Sequence, residues 1–374
     1  MRVVALGGAG AMARRTVKEL AAEDDVSEIL IADRSKRRAQ AFVRELNNPK
    51  VRAIKVDASD PEGLKKAIQG YDVVVSGCGP FYKYEVCAAQ AAIESGVHYV
   101  SLCDDHDAAE KIFDLDPLAR RKGLTALTGM GLSPGYSNVL ARYGAEILDE
   151  VKEINVAWGC SAFDTDGYAA ILHTIHIFTG SVPSWQDGQR ILVRAGSGGE
   201  VVRFPDPMGN LKVFHLGHPE PVTIPRFMKG VNTVTLKGGL AEGYLNFLTK
   251  LLARLRLTDT PQKKDRLARI VSAFLFLASR LRGRSETCSG LRVDISGKRK
   301  KKDVTLSYGA AAHMDALTGI PMAIGALMLG RGVITRRGVL APEACVPPRV
   351  FLGYMEKRGI TTFTGENMDD KLVL

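Results

Sequence analysis

The sequence predicts an α/β protein in which a doubly wound parallel sheet with helices on both faces is followed by a second, α+β domain. Three observations predict this. Short, continuously apolar segments alternate with helical stretches through the first third of the chain, the pattern of strands buried on both faces. A glycine-rich turn separates the first of these segments from the first helix, as phosphate-binding sheets require. The length, 374 residues, exceeds what one core of ordinary size takes in.

The elements follow in order. "RVVAL" (2–6) opens the sheet, and "GGAGAMA" leads into a helix ending near residue 22. "EILIAD" (28–33) is the second strand and "VRAIKV" (51–56) the third, with a basic helix between them and another helix after Pro61. "DVVVSG" (72–77) is the fourth strand, and a helix over about 84–95 leads to the fifth, "VHYVSLC" (97–103). A further helix ends near residue 122, ahead of the sixth strand, "LTALTG" (124–129). Six such units match the Rossmann arrangement, which binds dinucleotides.

The glycine turn then gains a chemical meaning. Gly7, Gly8 and Gly10, with Ala11, Met12 and Ala13 behind them, lack bulk where a pyrophosphate approaches and offer helix N–H groups to it. Asp33 ends the second strand, 23 residues beyond Gly10, where a carboxylate accepts ribose hydroxyls. It favours NAD over NADP, because it repels a 2′-phosphate. Arg34 beside it, with Lys36, Arg37 and Arg38 following, keeps NADP open. Asp57 and Ala58, after the third strand, are assigned to the adenine edge, and Asp57 reads equally well as the cap of the next helix. Gly77, Cys78 and Gly79, after the fourth strand, complete the expected cofactor contacts, with Cys78 on the nicotinamide side.

Ligands of open parallel sheets lie beyond the carboxyl ends of the strands. Three loops meet there: "SGCGPFYKYE" (76–85), "CDDHD" (103–107) and "TGMGLSPGYSN" (128–138). Asp104 and Asp105 are candidates to take a substrate ammonium or carry a proton. Asp107, with Glu110 three residues on, reads as a helix-capping pair. Adjacent carboxylates with one histidine lack the spacing of a metal set, so no metal is expected. His98 begins its strand at the far end and reads as structural. Further on, His173 and His176 share a helix face, as core or pocket-lining side chains. A zinc pair there would need a third ligand that the sequence does not reveal. Trp158 reads as core.

Bulk properties bound the rest. The net charge is +10, but the basic residues are spread along the chain, so nucleic acid is not expected as a partner. Six cysteines, none in a CxxC pair, suggest neither a zinc ribbon nor a disulfide framework and fit a reducing cytoplasm. No signal peptide or membrane span is expected. Residues 244–284 hold two basic amphipathic helices. These read as a cover for the sheet or a dimer contact, with a membrane surface as the less favoured alternative. Residues 291–310 read as a hairpin whose basic run is a solvated turn.

"GGAGAMA", "GPFYKYEVCAAQAAIESGVHYVSLCDD" and "TGMGLSPGYSN" together resemble the saccharopine dehydrogenase-like family, which includes saccharopine reductase, carboxynorspermidine dehydrogenase and lysine ε-dehydrogenase. The later stretches 204–227 and 318–351 also resemble it. The resemblance implies an NAD(P)-dependent dehydrogenase or reductase transferring a hydride at a C–N bond of an amino-acid-like or polyamine-like substrate, and a homodimer. It carries over to Tyr82, as a residue that orients an amine, relays a proton or packs as a lid. It also carries over to Gly131, Pro134 and Gly135, a hinge loop whose following helix amides hold a substrate carboxylate. Ser101 departs from the pattern by standing where members often carry an acid. The expected organisation is a Rossmann domain over 1–130, a substrate domain over 131–317, and a segment over 318–374 that returns to the first domain. The alternatives are a non-catalytic dinucleotide-binding scaffold and an oxidoreductase of lipid-like substrates.

Overall fold

A computed structural model describes residues 1–164, 167–281 and 287–374, without the side chains of 275–281. Residues 282–284 of the basic segment therefore lie outside the described residues. The first sheet is built as β1 (Arg2–Leu6), α1 (Ala11–Ala21), β2 (Glu28–Asp33), α2 (Lys36–Leu46), β3 (Val51–Lys55), α3 (Pro61–Ile68), β4 (Val73–Ser76), α4 (Phe81–Glu94), β5 (His98–Ser101), α5 (His106–Ile112), α6 (Asp116–Arg121) and β6 (Thr125–Leu127). The strands are parallel and run β6-β5-β4-β1-β2-β3. Alternation explains the two layers of helices: Val3 and Ala5 of β1 join one apolar core, Val4 and Leu6 the other. The strand order reverses between β1 and β4, which opens a crevice at their carboxyl ends.

Next come α7 (Tyr136–Ala145), β7 (Glu150–Cys160), α8 (Tyr168–Ile177), β8 (Ser181–Gln186), β9 (Gln189–Arg194), β10 (Glu200–Arg203), β11 (Asn210–His215), α9 (Glu220–Phe227), β12 (Thr233–Leu240), α10 (Gly243–Arg254), α11 (Pro261–Leu281), β13 (Ser289–Arg299) and β14 (Lys302–Ala312). They form a mixed sheet centred on β7, which pairs parallel with β12 and antiparallel with β13. The β13–β14 hairpin turns at Lys300 and Lys301, both with positive φ. The chain then gives α12 (Met314–Gly330), β15 (Gly338–Leu340), α13 (Pro342–Cys345), α14 (Pro348–Lys357), β16 (Phe363–Thr364) and β17 (Asp370–Lys371). β15 adds a seventh parallel strand beside β6, while β16 and β17 join the mixed sheet. α12 runs against α1, where Thr16 donates a hydrogen bond to the Gly319 carbonyl at 2.8 Å. The C-terminal segment thus ties both sheets together.

Several local expectations are corrected. Asp60, not Asp57, caps α3, accepting the Gly63 N–H at 3.1 Å. Asp57 instead accepts the N–H and O–H of Ser59. α5 begins at His106 with Asp105 at its N-cap position, so Asp107 lies inside the first turn and is not a cap. Its expected partner Glu110 pairs with Arg190 at 2.5 Å. α10 packs on β12 of the second sheet through Asn246, while its apolar stripe faces outward instead of covering the sheet.

Candidate active site

The crevice between β1 and β4 has the shape a pyrophosphate needs. Gly7 has φ +65, and a Cβ there would lie 3.0 Å from the Gly77 carbonyl oxygen. A Cβ on Gly77 would in turn lie 2.8 Å from the Ala13 Cβ. The two loops therefore touch only because both are glycine. Gly10 gives α1 no capping side chain, and its first turn carries no acid. The amides of Ala11, Met12 and Ala13 thus form a helix N-terminus suited to phosphate. At the carboxyl end of β2 Asp33 is buried; it accepts the Ser35 N–H at 2.8 Å and an Arg38 N–H at 3.2 Å. Arg34 is exposed beside it. Burial, followed by the charges of Asp33 and Asp57, pushes the Cys78 thiol up to about 12. Cys78 is therefore a neutral thiol in the loop after β4.

The "CDDHD" loop follows β5 at the same edge, and α8 of the second sheet comes down onto it. A Cβ on Gly79 would lie 3.2 Å from the Ala169 Cβ at the start of α8. His173 Nδ1 lies 2.9 Å from Asp105 Oδ1 and 3.2 Å from Asp104 Oδ1. Asp105 Oδ2 accepts the Tyr82 backbone N–H at 3.0 Å. One turn along α8, His176 Nε2 lies 3.5 Å from Asp107 Oδ1, and its ring stacks on Tyr82 at 4.6 Å. Lys264 of α11 meets His176 Nδ1 at 2.8 Å. The i, i+3 spacing of the two histidines explains why one helix face reaches both Asp105 and Asp107.

These contacts set the charges. Burial disfavours an imidazolium at His173, but Asp104 and Asp105 overcome it and hold its pKa up to about 9. Burial also opposes charge on Asp105, yet the His173 hydrogen bond keeps its carboxyl below the usual range. Asp104 keeps the smaller share of His173: its Oδ1 is buried with no hydrogen-bond partner. Burial, partly offset by His173 and reinforced by Asp105, pushes it up to about 7. The Tyr82 hydroxyl is pushed up to about 12, first by burial and then by Asp105, so it stays protonated at neutral pH. Asp107 is held down to about 2 because His176 and His106 outweigh its burial.

Two sets of three donors converge here among the described residues: His106, Asp107 and His176, and Asp104, Asp105 and His173, each within 4.8 Å. The two histidines fall in different sets, so the structure does not bring a third ligand to a His173–His176 pair. The Lys264 amine at His176 and the His173 imidazolium already bring positive charge to these carboxylates, which accounts for the clustering without an ion.

The loop after β6 serves differently from its expected role. Gly131 and Gly135 bridge, and the N–H groups of Tyr136 and Ser137 are taken by the carbonyls of Gly131 and Leu132. The Gly135 N–H is taken by Asn138 Oδ1. The Gly135 amide and the first two amides of α7 are therefore closed to a substrate carboxylate, which corrects that expectation for Gly131, Pro134 and Gly135. The loop is a floor instead: a Cβ on Gly129 would lie 2.7 Å from Pro134 and 3.2 Å from the Cys103 carbonyl.

Four buried polar side chains near this edge escaped the sequence reading. Glu85 of α4 accepts hydrogen bonds from Ser101, Tyr99 and Thr128 at 2.6–3.0 Å. The acid absent at position 101 thus has a counterpart reaching Ser101 from the facing helix. Glu220 accepts from Ser133 and Ser137, and Glu343 accepts from Asn138. Burial pushes each of these three carboxyls up to about 7. His218 is buried with neither ring nitrogen hydrogen-bonded, between His173 and Trp158. The available signal for Glu85 was its position on the apolar face shared with Phe81, Ala88, Ala89 and Ala92.

Comparison with known proteins agrees with this architecture. Residues 3–127 match the model of the saccharopine dehydrogenase NADP binding domain, and residues 131–360 that of the saccharopine dehydrogenase C-terminal domain. A saccharopine dehydrogenase (NADP+, L-glutamate-forming) of Schizosaccharomyces pombe is 28% identical over 151 residues, 40% of this chain and 31% of that protein. The match thus spans less than a third of that relative. The carboxyaminopropylagmatine dehydrogenase of Synechocystis is 22% identical, with 96% of each chain covered. Among solved structures, the L-Glu-forming saccharopine dehydrogenase of Saccharomyces cerevisiae superposes with a TM-score of 0.69 at 18% identity, covering 97% of this chain and 99% of that one. The amine dehydrogenase of Mycobacterium smegmatis gives 0.54 at 13% identity, covering 93% and 97%. At such identities these superpositions speak for the fold alone.

Proposed function

This chain belongs to the saccharopine dehydrogenase family of nicotinamide-dependent oxidoreductases, and from that premise we propose that it transfers a hydride at the C–N bond of an amino-acid-like or polyamine-like substrate. The relatives named for saccharopine and carboxyaminopropylagmatine support this substrate class. The observation that carries the proposal is the Asp104 carboxylate, whose buried Oδ1 lies 3.2 Å from the His173 imidazolium but takes no hydrogen bond, at the strand edge that faces the glycine crevice.

A nicotinamide dinucleotide, which the Gly7–Gly10 turn and Asp33 would hold, would supply the hydride chemistry when bound. The protein's own residues do the rest. A bound substrate ammonium must lose a proton before its nitrogen can release a hydride from the adjacent carbon. Asp104, with a pKa raised to about 7, accepts that proton at neutral pH. His173 stays protonated and stabilises the Asp104 carboxylate, while Asp105 fixes His173 and the Tyr82 amide together. The protonated Tyr82 hydroxyl orients the substrate as a donor. α8 lies over Gly79 and keeps bulk water from the reacting edge. In the reverse direction the same groups return the proton.

NAD is the proposed cofactor, because the Asp33 carboxylate is fixed at the ribose end by Ser35 and Arg38. NADP is the second reading, favoured by Arg34 and Arg38 at that same end and by the description of the matched domain. Nicotinamide fluorescence titration with NADH and NADPH tests both. Tighter NADH binding that reverses in Asp33→Ser supports the first reading. Tighter NADPH binding by the unaltered protein supports the second. Binding of neither contradicts the proposed function.

A further inference from the structure

α10 is turned the opposite way from an ordinary surface helix. Its inward side is fixed by Asn246, which is buried and closes both backbone groups of Leu240, accepting its N–H at 2.9 Å and donating to its carbonyl at 2.7 Å. Lys250 lies on the same inner side, its ammonium 3.7 Å from the centre of the Phe214 ring. This lock drives the apolar stripe outward. Tyr244, Phe247, Leu248, Leu251 and Leu255 follow one another at helical spacing, and all are exposed, Phe247 by 66%. After a short turn the pattern resumes on α11. Its inner face, with Leu267 and Ala268, packs on Leu172 and Ile175 of α8. Its outer face shows Ile270 and Phe274, both more than half exposed.

Charge says what this face meets. Residues 243–274 contain seven lysines and arginines against two aspartates. Exposed aromatic and leucine side chains set among cations match the interfacial zone of an anionic bilayer, which takes the apolar side chains to the acyl boundary and the cations to the headgroups. A second copy of this chain fits worse, because a two-fold contact would set the same cations against themselves. No described helix is long and apolar enough to cross a membrane, so the contact is peripheral. We propose that α10 and the first half of α11 form a docking surface for an anionic membrane. The inference is independent of the reaction assigned to the cleft. It places the membrane contact beside the cleft mouth, since Lys264 of α11 touches His176.

The test is co-sedimentation of the full chain with vesicles of phosphatidylglycerol and phosphatidylcholine, against vesicles of phosphatidylcholine alone. The expected result is partition onto the anionic vesicles that weakens with salt. Phe247→Ser and Leu251→Ser should each reduce it on the order of tenfold, from the apolar surface lost. Both side chains are exposed, and an unchanged circular dichroism spectrum confirms that the variants fold. Failure to sediment with anionic vesicles overturns the proposal. So does partition that the two substitutions leave unchanged. A dimer in solution that these substitutions dissociate, without vesicle binding, also overturns it and assigns the face to a second copy.

Discussion

His173 Nδ1 lies 2.9 Å from Asp105 Oδ1, and through this contact a helix of the second sheet closes onto the loop after the fifth strand of the first. Asp105 is fully buried and also holds the Tyr82 amide. One buried ion pair therefore positions the lid, the aromatic ring and the neighbouring Asp104.

Breaking this pair should cost more than a surface contact would. His173→Ala leaves Asp105 buried without its cation, a loss of roughly 3–5 kcal/mol by analogy with other buried pairs. Chemical denaturation of the variant measures it. A change below about 1 kcal/mol would show that the pair is solvated in solution.

The pH dependence of amine oxidation should be bell-shaped. Asp104 must be ionised to accept a proton, so kcat/KM rises as pH passes about 7. His173 must be protonated, so it falls above about 9. The apparent values belong to the coupled cluster. The stability carried by His173 has a matching sign: its pKa is raised on folding, so that stability is fully present below about 6.5 and lost as pH rises through about 9. His173→Asn should abolish the upper limb of the rate profile and move the lower one to higher pH, because Asp104 loses the cation that favours its carboxylate. A profile of the unaltered enzyme that stays flat between pH 6 and 10 would contradict the assignment.

Glu85 adds a pH dependence of the same sign at lower pH. Its pKa is raised from 4.5 to about 7, so the folded state holds a proton that the unfolded state has released. Stability should fall by roughly 3 kcal/mol across that interval. Glu85→Gln should flatten this part of the pH–stability curve, as denaturant midpoints at pH 5 and pH 7.5 would reveal. An unaltered slope would mean that Glu85 is charged in the fold.

Gly135 should tolerate no side chain. Its φ is +130, and a Cβ there would lie 2.2 Å from the Gly131 carbonyl oxygen. Gly135→Ala should destabilise the protein by more than about 2 kcal/mol, measured as a lowered melting temperature. A neutral effect would mean that the loop after β6 opens readily.

The first sheet was legible because most of its parallel strands are continuous apolar runs, and because the glycines and Asp33 stand at distances that local geometry dictates. The cluster at its edge was legible by halves. "CDDHD" and the pair His173 and His176 each stood out, but their meeting depends on how α8 crosses between sheets, a contact between positions 68 residues apart. Glu85, Glu220 and Glu343 were hidden because a buried carboxylate on a helix looks like a solvated one until its hydroxyl partners are known. The caps misled for a simpler reason: Asp57 and Asp60, like Asp105 and Asp107, compete within one turn, and only tertiary contacts choose between them. The outward stripe of α10 reads in sequence as a core-facing helix, because periodicity gives a face and not its direction.

The most direct test of the central claim is turnover. Purified protein with NAD or NADP would be followed by nicotinamide absorbance across a panel of amino acids, saccharopine and carboxyalkyl polyamines, in parallel with Asp104→Asn. The account predicts cofactor reduction with at least one secondary or primary amine of this panel. It also predicts a rate lowered about 10²–10⁴-fold in the variant, with cofactor affinity unchanged. Undiminished turnover in Asp104→Asn, or cofactor binding with no turnover on any amine, would contradict it.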